Sequence, residues 1–107
     1  MLTVYKYPLL PLSTGTSVRL ALNSSVDHAP VFLYVGEQSN RPFVWVQIPD
    51  KDESGFGTYI TNYEIHAFGT GAEIPLDFDG EYIGTVQLNK GIPTGEFVFH
   101  YYAVKVT

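Results

Sequence analysis

The chain contains no cysteine. That excludes a disulfide framework, a thiol nucleophile, an iron–sulfur centre and any thiolate zinc site, and it permits a reducing compartment. Helix formers are scarce: Ala occurs 5 times in 107 residues and Met once. No apolar run approaches the roughly 20 residues of a membrane helix, so no membrane span is expected. Positive charge is thin as well, with 6 Lys and Arg against 11 Asp and Glu and a net charge of −5. Those cations are scattered, whereas a grip on nucleic-acid phosphates needs them clustered, so direct nucleic-acid binding is not expected. The opening residues Met1 to Pro8 lack a basic stretch followed by an apolar one. They read as a first strand rather than a signal peptide.

What is present is strand material. Val, Ile and Thr number 11, 6 and 9, and they are joined by 16 aromatics, the residue types that pack well on a pleated sheet. Turn signals cut the chain into short segments, which predicts seven strands at residues 2–7, 17–22, 31–38, 42–49, 58–68, 81–88 and 96–106. The second shows the alternation of a half-buried strand, Val18, Leu20 and Leu22 against Ser17, Arg19 and Ala21. The third and fourth, joined by Ser39-Asn40-Arg41, form a hairpin that is apolar on both faces, so it is expected at the centre of the fold or under an oligomer interface. Residues 9–16, 23–29, 50–57, 72–80 and 89–95 read as connections, with room for one helical turn in 23–28. The expectation is an all-β, single-domain chain over residues 1–107: a compact antiparallel sandwich or roll of about seven strands with little or no helix.

Candidate chemistry is sparse. General acid–base work needs a histidine beside a carboxylate or hydroxyl. His66 shares a strand face with Glu64, because residues i and i+2 lie together, and His100 shares one with Val98 and Tyr102. Both also fit as ordinary amphipathic strand residues, and His28 sits in a turn with no role. No serine has a G-x-S-x-G setting. Asp77, Asp79 and Glu81 alternate, as ligands to a hard cation can, but a calcium loop's spacing and closing bidentate Glu are missing, and the two aspartates suit a turn before Gly80. No metal site and no cofactor are expected. Gly69-Thr70-Gly71 follows a strand, where backbone N–H groups can cradle an anion; its plainer reading is a tight turn. A ligand or anion site would draw on Gly69, Thr70, Gly71, His66 and His100, with a small nucleotide as the candidate ligand.

The aromatics carry the strongest signal. Tyr5 and Tyr7 share a face of the first strand, Phe43 and Trp45 share a face of the fourth, and Tyr101 and Tyr102 take both faces of the last. This is more apolar surface than one small core uses, and Tyr and Trp are typical interface anchors. Tyr5, Tyr7, Phe43 and Trp45 are therefore the interface candidates. Open sheet edges in so short a chain also favour a homo-oligomer.

The motifs Val4-Tyr5-Lys6-Tyr7-Pro8-Leu9, Pro42-Phe43-Val44-Trp45-Val46, Phe68-Gly69-Thr70-Gly71, Glu81-Tyr82-Ile83-Gly84-Thr85-Val86-Gln87 and Phe97-Val98-Phe99-His100 run in that order. In this layout the chain resembles a family of small, uncharacterised proteins of bacteriophage and prophage genomes, over nearly its whole length. Its loops at residues 10–15 and 50–57 are longer than in that layout. The resemblance implies a phage-encoded accessory protein acting in the host bacterial cytoplasm. It assigns no catalytic residues. The expected function is non-enzymatic binding that modulates a bacterial host or anti-phage defence factor. The alternatives are a nucleotide or small-ligand sponge acting as an oligomer, and a virion or decoration protein.

Overall fold

The computed structural model describes residues 1–9, 17–50, 57–89 and 97–106. The connections expected within 10–16, 51–56 and 90–95, and the expected start of the last strand at Glu96, lie outside the described residues. Seven strands form: β1 (Leu2–Pro8), β2 (Ser17–Ser24), β3 (Val31–Gln38), β4 (Arg41–Pro49), β5 (Tyr59–Gly69), β6 (Glu81–Leu88) and β7 (Phe97–Lys105). All pairings are antiparallel, and they make two sheets. Sheet A has the order β1-β4-β3 and sheet B the order β2-β5-β7-β6. No helix occurs among the described residues. Where a helical turn had room, Ser25 and His28 instead exchange both backbone hydrogen bonds across Val26-Asp27, a tight two-residue turn.

Period-two alternation builds the core. On β4, Val44, Val46 and Ile48 turn inward and are buried, while Phe43, Trp45 and Gln47 turn outward. On sheet B the inward set includes Leu20, Leu22, Ile65, Ala67, Val86, Phe99 and Tyr101. Each fully buried Val or Leu contributes about 1.5–3 kcal/mol relative to exposure. The buried hydroxyls of Ser24 and Thr61 satisfy one another at 2.7 Å, so neither is left unpaired.

Sheet A lies over sheet B with β4 against β2 and β3 along β6. The β3–β6 seam is tight, because a side-chain carbon on Gly84 would come within 2.8 Å of the Val35 Cβ. The tip of the β3–β4 hairpin is tied to the end of β6 by the Asn40 and Asn89 side chains, and the Asn89 N–H donates to Asn40 Oδ1 at 2.7 Å. Ser39 and Asn40 both have positive φ, the two-residue turn that matches strand twist.

The hairpin expected at the centre is only half central. β4 is the middle strand of its sheet, and β3 is an edge strand that meets β6. Its apolar outward residues are therefore not a second core layer. β1, at the opposite edge, has substantial contact with β4 alone.

Candidate functional site

Two outer faces carry the chemistry-bearing side chains. On sheet A the register sets Lys6 and Tyr34 on either side of Trp45, and Val4 and Val31 on either side of Gln47. The Tyr34 ring is 5.5 Å from Trp45, and Phe43 is 6.3 Å from it. Tyr34 bends over Gly36, where any side chain would run into its ring. A bulge between Phe32 and Tyr34 resets the alternation that brings Tyr34 outward. Lys6 Nζ sits 4.7 Å from the Phe43 ring centroid and donates to Gln38 Oε1 at 2.6 Å. Such a cation–ring contact contributes about 0.5–1 kcal/mol at an exposed site. Arg41 is exposed at the hairpin end of the same face, opposite Gln38. Among the described residues the register puts no carboxylate there: Glu37 pairs with Pro42 on the other side and accepts the Asn40 N–H. In a chain of net charge −5, this face is apolar, aromatic and cationic. Tyr34 is 62% exposed.

The outer face of sheet B is covered over β5 and β7. Residues 70–80 fold back so that Phe78 lies on it, its ring 5.4 Å from His66, 5.3 Å from Phe68 and 5.6 Å from Tyr102. Phe68 points outward from β5 yet is only 7% exposed. Gly80 permits the return, because a side chain there would strike the Phe78 ring. Beside this cluster, Arg19 Nη2 donates to Glu64 Oε2 at 3.1 Å, and His66 Nε2 lies 3.4 Å from Glu64 Oε1. The Arg19 hydrogen bond holds the Glu64 carboxyl below its ordinary range, against a desolvation push upward and with His66 assisting.

His100 has both ring nitrogens engaged, Nε2 with the Thr70 hydroxyl at 3.0 Å and Nδ1 with the Thr85 hydroxyl at 2.9 Å, and Thr85 is bonded in turn to the Tyr82 hydroxyl. Residues Gly69 to Ala72 form a turn in which the Ala72 N–H donates to the Gly69 carbonyl, and the Thr70 N–H donates to Val98. Gly71, with φ of 87°, takes the left-handed position. Two N–H groups that would cradle an anion thus already donate within the fold.

The structure brings some of the predicted residues together and separates others. His66 and His100 share the outer face of neighbouring strands, opposite Tyr102 and Phe68, and each has its own partners. The Glu64–His66 pair that the spacing allows is present. Phe43 and Trp45 point outward together, whereas Tyr5 and Tyr7 face inward opposite Val46 and Val44. Tyr7 packs on the core, and its burial, then Tyr5, raises its phenol pKa. The four interface candidates therefore lie on two faces. Asp77, Asp79 and Glu81 build no cluster of metal ligands among the described residues. Asp79 and Glu81 instead line an open groove of about 410 Å³ with Tyr63 and Lys105. Burial, then nearby Glu81, raises the Tyr63 phenol. Sequence reasoning missed Tyr34, Val4 and Lys6 on sheet A and Phe78 on sheet B. The period-two register of β1 against β4 would have found Val4 and Lys6.

No curated protein and no solved structure matches this chain. A family model does match, over residues 1–107, and the chain belongs to that family, described as a domain of unknown function, DUF7352.

Proposed function

We propose that the chain is a binding protein rather than an enzyme, and that it holds a partner protein against the outer face of sheet A. The observation that supports this is the outward set of exposed Val4, Val31 and Tyr34 with half-buried Phe43 and Trp45, fringed by Lys6 and Arg41 with no carboxylate among the described residues. Tyr, Trp and Arg are the residues that dominate binding energy at protein interfaces, and contiguous exposed apolar surface marks such sites. The likeness of the motif layout to phage and prophage proteins sets the context: a phage-encoded modulator of a bacterial host or defence factor, working in the host cytoplasm. The test is retention of a host-lysate partner on immobilised protein. Trp45→Ser combined with Tyr34→Ser weakens retention thirtyfold or more, about 2 kcal/mol, and His100→Ala leaves it unchanged. A partner held equally by both variants overturns the assignment of the face.

A second reading, a small-nucleotide sponge, draws support from the Thr70–His100–Thr85 hydroxyl–imidazole line. It requires a nucleotide that raises the unfolding temperature in proportion to the logarithm of its concentration, with the rise lost in Thr70→Ala and His100→Ala.

A further inference from the structure

β1 is the least covered strand of the fold. Leu2, Val4 and Tyr5 are 41%, 49% and 47% exposed, on both faces of the strand, and among the described residues β1 pairs on one side only. The direction of its free backbone groups follows from the ladder. Its ends are the hydrogen-bonded pairs Met1–Asp50 and Leu9–Pro42. Bonded pairs recur at every second residue of an antiparallel ladder, so Thr3, Tyr5 and Tyr7 bond to β4. The N–H and C=O of Leu2, Val4 and Lys6 therefore point out of the sheet edge. Pro8, the next in that series, has no N–H, the usual character of a proline on an edge strand. A bare edge of Leu-Thr-Val-Tyr-Lys-Tyr is a template for another strand.

We infer that β1 pairs antiparallel with β1 of a second copy of this chain, with Val4 opposite the partner's Val4, making a continuous six-stranded sheet. The edge is self-complementary in that register. Val4 exchanges two hydrogen bonds with the partner's Val4, and Leu2 exchanges two with the partner's Lys6 at each end, so every outward group from Leu2 to Lys6 is satisfied and Pro8 lies beyond the ladder. The two lysines are kept apart, each opposite a leucine whose side chain its aliphatic stem can cover. β1 carries no carboxylate, so no acidic pair opposes the contact in an otherwise acidic chain. A sliding register that set Lys6 against the partner's Lys6 would place like charges directly opposite, which is destabilising. The two-fold axis stands perpendicular to the sheet, so both outer faces of sheet A look to the same side. The inference rests on the edge alone and not on the binding role proposed above.

The test is sedimentation equilibrium of the chain with an unextended N-terminus, from micromolar to several hundred micromolar. The expected mass is twice that of the 11.9 kDa chain. Val4→Pro removes only an outward N–H and is expected to give monomer with unchanged circular dichroism. The absence of native cysteine allows a second measurement that does not depend on that variant folding. Val4→Cys, oxidised in dilute solution, should give a disulfide-linked dimer, and Lys6→Cys should not, because the register holds the two Lys6 positions apart. A wild-type chain that stays monomeric at every concentration overturns the dimer, as does a Val4→Pro chain that dimerises like wild type. Linkage through Lys6→Cys but not Val4→Cys overturns the register.

Discussion

The two sheets present outer faces of similar material and opposite fate. Sheet B carries His66, Phe68 and Tyr102, and its own chain lies on them: Phe78 closes the cluster and Phe68 is buried although it points away from the core, while Tyr82 at the β6 edge stays exposed. Sheet A carries Tyr34, Phe43 and Trp45, and among the described residues no connection returns over them; they meet one another and the Lys6 side chain. The connections among the described residues explain the difference. β3 and β4 are joined by the two-residue turn Ser39-Asn40, which has no chain to fold back. β5 and β6 are joined by residues 70–80, long enough to return across the sheet. An aromatic count therefore does not tell a structural ring from a contact ring. What tells them apart is whether a connection comes back over the face.

The largest expected effect comes from stripping the cover. Phe78→Ala removes the ring that touches His66, Phe68 and Tyr102 and leaves those apolar surfaces facing water. Truncating a fully buried Phe costs about 3–5 kcal/mol. Phe78 is half-buried, so about 2–3 kcal/mol is expected, a fall in unfolding temperature of roughly 10 °C. Urea or thermal unfolding measures it. Stability equal to wild type would mean that Phe78 covers nothing of consequence, and the contrast between the faces would break.

Much of the frame was legible. Residues 31–38 and 81–88 form strands with the expected bounds, since alternation and turn residues act locally. Glu64 and His66 meet because two positions on one strand share a face. The rest depended on non-local pairing. Tyr5 with Tyr7 and Phe43 with Trp45 look equivalent in the sequence, as two same-face pairs; only the β1–β4 register turns the first pair inward and the second outward. Thr70 reaches His100 because β5 and β7 are neighbours across a connection that includes β6, an adjacency that no spacing encodes. Phe78 was hidden by its own context. Between Asp77 and Asp79 it reads as one ring in a polar turn, and the carboxylate alternation draws attention to its neighbours.

Between the two faces, the shared core gives a smaller and oppositely signed prediction. Tyr101 is 1% exposed, and its hydroxyl has no hydrogen-bond partner among the described residues. Burial pushes its phenol up to about 12 from 10.0. The folded state thus holds this proton more tightly than the unfolded chain does. That contribution is complete below pH 10 and is lost as pH climbs from 10 to about 12. Tyr101→Phe removes an unsatisfied buried hydroxyl and should stabilise the protein by about 1 kcal/mol at neutral pH. It should also flatten the alkaline fall in stability, read by chemical denaturation from pH 8 to 12. A variant less stable than wild type at neutral pH would show that the hydroxyl has a partner.

The smallest expected change in stability is the sharpest test of the comparison. Tyr34 is 62% exposed, and its ring touches Trp45 and the backbone at Gly36. Such a ring gains little from its own fold, so Tyr34→Ala should alter unfolding free energy by less than about 1 kcal/mol, against the larger loss expected at Phe78. The change should appear elsewhere. Trp45 is the only tryptophan of the chain, and Tyr34 and Lys6 flank it in the register. Removing the Tyr34 ring uncovers one side of the indole, so its emission should shift to the red and its quenching by acrylamide should rise while the unfolding temperature holds. A Tyr34→Ala variant that loses as much stability as Phe78→Ala would make Tyr34 part of the frame, and the bare face of sheet A would then be structural surface rather than a place for another molecule.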